Sequence, residues 1–176
     1  MKYNPDKHAR RSIRLWGYEY TQSGAYFITI CTQNRDCLFG EVVKGIMNAN
    51  EIGQMIQSVW DELPQHYPGV DVDAFVVMPN HIHGIILLTP DKTGQPQGVA
   101  PTMSLMDVVH RFKSLTTARY RQGVVQRRWQ PFPGRLWQRN YYEHIIRHEE
   151  ALNRARGYIA MNPLMWHLDA ENPNTP

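Results

Sequence analysis

Apolar residues alternate along the chain between clustered strand-like runs and helical spacings. Ala25-Tyr26-Phe27-Ile28-Thr29-Ile30-Cys31-Thr32 is dense in β-branched and aromatic residues and follows the turn signal Ser23-Gly24, so it predicts a first strand. Gln33 to Gly40 is polar and reads as a loop, with a short strand at Glu41-Val42-Val43 after it. Ile52, Met55, Ile56, Val59 and Leu63 fall on one helical face behind the N-cap candidate Asn50. They predict a helix over Glu51 to Leu63, ended by Pro64 and Pro68-Gly69. Val70 to Val77 and His81 to Leu88 read as two strands of a hairpin about the turn residues Pro79-Asn80. The segment Thr89 to Pro101, rich in Pro and Gly, predicts a mobile loop.

Leu105, Val108, Val109, Phe112 and Leu115 predict a second helix from Ser104 to about Arg121, followed by a basic loop over Gly123 to Gly134. A fourth strand is expected within Leu136 to Ile146, and a last helix over Glu149 to Met161, stopped by Pro163. Residues 167–176 are polar and rich in Asn and Pro, the pattern of a frayed tail. The order β-α-β-β-α-β plus a C-terminal helix predicts an α+β, ferredoxin-like (RRM-like) fold with an antiparallel sheet and helices on one face. At 176 residues the chain suits a single domain, residues 1–176, with residues 1–22 forming a basic and then aromatic N-terminal arm.

No apolar run approaches the roughly 18 residues of a membrane span, and the charged start does not resemble a signal peptide. Two cysteines, Cys31 and Cys37, are too few for a disulfide framework, so a cytoplasmic protein with free thiols is expected. The net charge of +3 hides a concentration of positive charge. From His110 to Arg156 eleven Arg or Lys face three Glu, and fourteen of the nineteen basic residues in the chain are Arg. Arginine forks suit phosphate, and Trp129, Trp137, Tyr141 and Tyr142 lie among them, a mixture suited to single-stranded nucleic acid.

The chemistry centres on Met78-Pro79-Asn80-His81-Ile82-His83. On a strand His81 and His83 point to the same side, half of a metal site. Neither cysteine has metal-ligand spacing and the chain has no His-Glu-x-x-His helix, which favours an open site with an oxygen ligand that takes Mg2+ or Mn2+ with phosphate. On the last helix Tyr158 and Asn162 are one turn apart on one face, with the small residues Ala151 and Ala155 upstream. Each feature also has an ordinary structural reading: sheet-margin histidines, a half-buried helical tyrosine, an asparagine before proline.

Taken together, the motifs resemble the single-tyrosine HUH nucleases, most closely the REP-associated tyrosine transposases. The resemblance runs from Arg10-Arg11 through Gly24-Ala25-Tyr26-Phe27-Ile28-Thr29, His81-Ile82-His83, Phe112-Lys113-Ser114 and Trp137-Gln138-Arg139-Asn140-Tyr141-Tyr142-Glu143-His144 to Tyr158-Ile159-Ala160-Met161-Asn162-Pro163. It implies Tyr158 as nucleophile and His81, His83 and Asn162 as ligands of a divalent metal. Insertion-sequence relatives usually place Gln where Asn162 stands, and the REP-associated branch has Asn. The implied activity is metal-dependent cleavage and strand transfer of single-stranded or hairpin DNA through a 5′-phosphotyrosine, by a monomer or a homodimer. Arg11, Arg14, Lys113, Arg139, His144 and Arg147 are the candidate DNA contacts. Tyr141 and Tyr142 are rival nucleophiles by residue type, with ring packing or base stacking as their other role. An RRM-like binding module, or a host-adopted repeat-binding regulator, are the alternative functions.

Overall fold

The computed structural model describes residues 23–89 and 103–174. The expected N-terminal arm, Arg11 and Arg14 within it, and most of the Thr89 to Pro101 loop lie outside the described residues. The main sheet has four antiparallel strands: β1 (Gly24–Cys31), β4 (Val70–Val77), β5 (His81–Leu88) and β6 (Tyr142–Ile146), in the order β4-β5-β1-β6. A separate hairpin pairs β2 (Gly40–Val43) with β3 (Ile46–Ala49), the latter absent from the pattern-based reading.

The two faces of the sheet are covered differently. Helices α1 (Glu51–His66) and α2 (Leu105–Arg127) cover the face that carries Tyr26, Ile28, Ile30, Ile82 and Ile86. Helix α3 (Glu149–Met161) does not join them. It packs Ile159 and Ala155 against Ile85, Ile146 and Phe27 on the opposite face. The expectation of helices on one face therefore holds for α1 and α2 alone. Because side chains alternate along a strand, the α3 side also receives His81, His83, Thr29, Tyr142 and His144.

Two helices outrun their predicted ends. Asn50 caps α1 by accepting from Ile52 N (3.0 Å) and Gly53 N (2.9 Å), and the helix continues through Pro64 to His66. Pro64 removes the intrahelical donor to the carbonyl four residues before it, and the helix ends within three residues of it. Ser104 and Asp107 form a reciprocal capping box on α2. That helix runs past Gly123, whose lack of a side chain makes room for the Trp129 indole, 2.1 Å from where a Cβ would stand. Arg128 closes it in the left-handed region at φ 57°.

Candidate functional site

The histidine pair is held by its outer nitrogens. On β5, His81 Nδ1 meets Asn80 Oδ1 at 2.8 Å and His83 Nδ1 meets Thr29 Oγ1 at 2.7 Å. The Asn80 amide nitrogen donates to Arg35 O (3.1 Å) and Glu171 O (2.7 Å), which orients its oxygen toward His81. Asn80 Oδ1 can only accept, so His81 carries its proton on Nδ1 and presents an Nε2 lone pair. The two Nε2 atoms face each other at 3.0 Å. Thr29 Oγ1 both donates and accepts, so His83 can switch its proton between its nitrogens without losing its partner. Both rings are buried, and burial pushes each down to about 3. Neutral imidazoles with converging lone pairs are what a metal requires.

Helix α3 brings Tyr158 and Asn162 over this pair. The Tyr158 ring centroid lies 5.1 Å from that of His83 and 5.8 Å from that of Phe27. Its side chain is about half exposed, and partial burial together with the Asp169 carboxylate pushes the phenol above its ordinary value, while Asn162 pulls it the other way. Asn162 is 3% exposed, and its Oδ1 is buried with no hydrogen-bond partner. Burying a polar atom in this way is costly, and an amide oxygen beside two imidazole lone pairs fits a divalent cation. The residues present therefore match the metal that the sequence pattern implies.

The segment after α3 departs from the expected frayed tail. Trp166–Leu168 forms a 3-10 turn, and the segment after it is tied to Arg35 and to Asn80, the residue just before β5. Arg35 pairs with Glu171 at 2.9 Å and donates to Ala170 O at 3.3 Å, and Asn172 Nδ2 donates to Trp166 O at 2.9 Å. This brings Asp169 Oδ2 to 3.8 Å from His81 Nε2. His81, His83 and Asp169 offer ligand atoms that all lie within 4.8 Å of one another. Nothing in the local pattern around Asp169 marks it, because its place is set by contacts distant in sequence.

The expected DNA contacts divide. Lys113 is turned inward: it donates to the carbonyls of Gln138 (3.0 Å), Arg139 (3.3 Å) and Asn140 (3.3 Å), and burial pushes its amine down to about 8. It also stands 5.3 Å over the Tyr141 ring, which packs against the core. Arg139 and Arg147 are exposed. His144 is exposed and lines a cleft of about 860 Å³ with Tyr142, Arg154, Tyr158 and Asn162. Arg154 belongs to this cleft and escaped the sequence reading, although it sits four residues before Tyr158 on the same helical stripe. Among the described residues no helix is long and apolar enough to cross a membrane.

A Haemophilus influenzae protein of uncharacterised function is 40% identical over 181 residues, covering 96% of this chain and 96% of that one. A protein of the same organism named as a REP-associated tyrosine transposase is 25% identical over 151 residues, covering 83% of this chain and 73% of that one. The solved structure of a REP-associated tyrosine transposase bound to a REP hairpin has a similar fold, with a TM-score of 0.59 at 20% identity over 88% of this chain and 74% of that one. The model of the family described as IS200-like transposase matches residues 21–162. That match takes in the histidine pair, Tyr158 and Asn162 together, and the chain belongs to the IS200-like transposase family.

Proposed function

We propose that this protein is an HUH-type DNA endonuclease and strand transferase on a ferredoxin-like frame, with Tyr158 as nucleophile and His81, His83 and Asn162 holding a divalent metal, Mg2+ or Mn2+. The observation that carries the reading is the convergence of the His81 and His83 Nε2 atoms, the orphaned Asn162 oxygen and the half-exposed Tyr158 ring on one side of the sheet. A bound ion supplies charge that polarises a non-bridging phosphate oxygen. The chain's own residues do the rest. Tyr158 Oη bonds to phosphorus, the bond from phosphorus to the 3′-oxygen breaks, and the products are a 5′-phosphotyrosine and a free 3′-hydroxyl. The phenol gives up one proton and the 3′-oxygen takes one, so the step balances. A later 3′-hydroxyl reverses it on a new strand, and the conserved phosphodiester makes an external energy source unnecessary.

Single-stranded DNA beside a hairpin is the substrate class this reading favours, supported by the fold likeness to the hairpin-bound transposase. Exposed Arg139 and Arg147, with His144 in the cleft, suit phosphate and base contacts. An RNA-recognition module leaves its sheet face open and places aromatics on the central strands, whereas here α3 packs on part of that face and His81 and His83 stand on its central strand, which ranks the binding-module reading lower. The test is a labelled DNA hairpin with single-stranded flanks, incubated with Mn2+ or Mg2+ and resolved on a denaturing gel with and without protease. Wild type is expected to form a protease-sensitive adduct and Tyr158→Phe none. Binding without an adduct, across several repeat sequences, would overturn the enzyme reading.

A further inference from the structure

We infer that Asp169, carried by the C-terminal tail, is a ligand of the same divalent ion, so that ion binding and docking of the tail strengthen each other in the DNA-free protein. The inference rests on the proposed metal centre and adds a donor from outside the matched family segment, which ends at residue 162. Ligand bonds of about 2.1 Å place neighbouring ligand atoms about 3 Å apart at right angles and about 3.7 Å apart at wider angles. The two histidine Nε2 atoms are 3.0 Å apart, and Asp169 Oδ2 lies 3.8 Å from His81 Nε2. The second value is too long for a hydrogen bond and suits two ligands sharing one ion. Asp169 Oδ1 accepts from Glu171 N at 2.7 Å, an Asx turn that leaves Oδ2 facing the rings. The Asp169 side chain is 8% exposed, so its carboxylate stands inside the site beside the rings.

The tail and the histidines are also tied through Asn80. Its amide donates to Glu171 O in the tail while its oxygen fixes the proton position on His81. A docked tail therefore both contributes a ligand and holds His81 ready to ligate. Coupling of this kind is reciprocal: whatever the tail adds to ion affinity, the ion adds to tail docking.

The experiment is Mn2+ titration of the full chain without DNA, by calorimetry and by electron paramagnetic resonance, for wild type, Asp169→Asn and Asn162→Ala, with amide hydrogen exchange over residues 165–174. Asp169→Asn keeps the Oδ1 acceptor of the Asx turn and so preserves the local backbone. It is expected to weaken Mn2+ binding about 10-fold or more. Mn2+ should slow exchange in the tail of wild type and leave that of Asp169→Asn unchanged. Affinity within about two-fold of wild type, with a tail indifferent to Mn2+, would overturn the inference. If Asp169→Asn misfolds, wild type alone decides through Mn2+-induced protection and paramagnetic broadening of the tail amides. Mn2+ held through Asp169 without any DNA adduct would refute the transferase reading and leave this one standing. Adduct formation with unaltered Mn2+ affinity in Asp169→Asn would do the reverse.

Discussion

Asn80 joins three parts of the site, so its removal has a calculable cost. The residue is fully buried and makes three hydrogen bonds, to His81 Nδ1 at 2.8 Å, Arg35 O at 3.1 Å and Glu171 O at 2.7 Å. At about 1 kcal/mol net for each, Asn80→Ala is expected to lose about 3 kcal/mol of stability. In a domain of this size that lowers Tm by about 2–4 °C per kcal/mol. The same change frees His81 to move its proton to Nε2, so Mn2+ affinity should fall about 10- to 100-fold, as when other partners of ligating histidines are removed. Asn80→Asp separates the two effects. It keeps an acceptor for His81 and loses both donors, so stability should fall as in Asn80→Ala, while Mn2+ affinity should fall less than in Asn80→Ala, by the tail's share alone. Urea denaturation and Mn2+ calorimetry on the three proteins read both quantities. If Asn80→Ala keeps stability within about 0.5 kcal/mol and Mn2+ affinity within about two-fold of wild type, the tautomer argument is wrong.

Further outcomes follow from other contacts. Gly84→Ala would put a Cβ 2.4 Å from Trp60 Cη2 and 3.0 Å from Phe75 Cδ2, within the stacked Trp60–Phe75 pair. It should cost about 1–3 kcal/mol by urea denaturation, and an unchanged midpoint would show that the core relaxes freely there. Tyr142, half exposed at the cleft, is placed to stack a base, so Tyr142→Ala in a Tyr158→Phe background should weaken single-stranded DNA binding by about 1–3 kcal/mol. Tyr142→Phe should bind like the parent, and equal binding by all three proteins would exclude a stacking role. The Arg119 guanidinium, bonded to both Glu62 oxygens at 2.8 and 2.5 Å, holds that carboxyl down to about 2. Its folded value lies below its unfolded one, so the pair stabilises the α1–α2 contact fully above about pH 4.5 and loses that contribution as pH falls toward 2. Glu62→Gln should flatten stability against pH in that acid window, and an unchanged slope would count against the pair.

Much of the fold was legible because local pattern and tertiary environment agree. The strand pairs the two histidines on one side, and the helical spacing pairs Tyr158 with Asn162, so each half of the site follows from a repeat of two or of four residues. That the halves meet required the resemblance, because it depends on α3 crossing to the sheet face opposite α1 and α2. Lys113 reads as a phosphate contact because it is basic and lies mostly off the apolar helical face, yet three loop carbonyls draw it inward. The tail was least legible. Its polar, Pro- and Asn-rich composition is that of a loose end, and it is ordered by partners distant in sequence, Arg35 and Asn80. No periodicity in the tail could report such contacts.

Tyr158, rather than another tyrosine near the cleft, is the proposed acceptor of the DNA strand. The most direct measurement is trypsin digestion of the protein–DNA adduct, nuclease trimming to a short nucleotide remnant, and mass spectrometry of the modified peptide. Tyr158 is the sole tyrosine in residues 157–176, which contain no Lys or Arg, whereas Tyr141 and Tyr142 share the tryptic peptide 140–147. A nucleotide phosphate on the peptide that begins at Gly157 is the predicted result. The same mass on the peptide that begins at Asn140, or its persistence in Tyr158→Phe, would contradict the account.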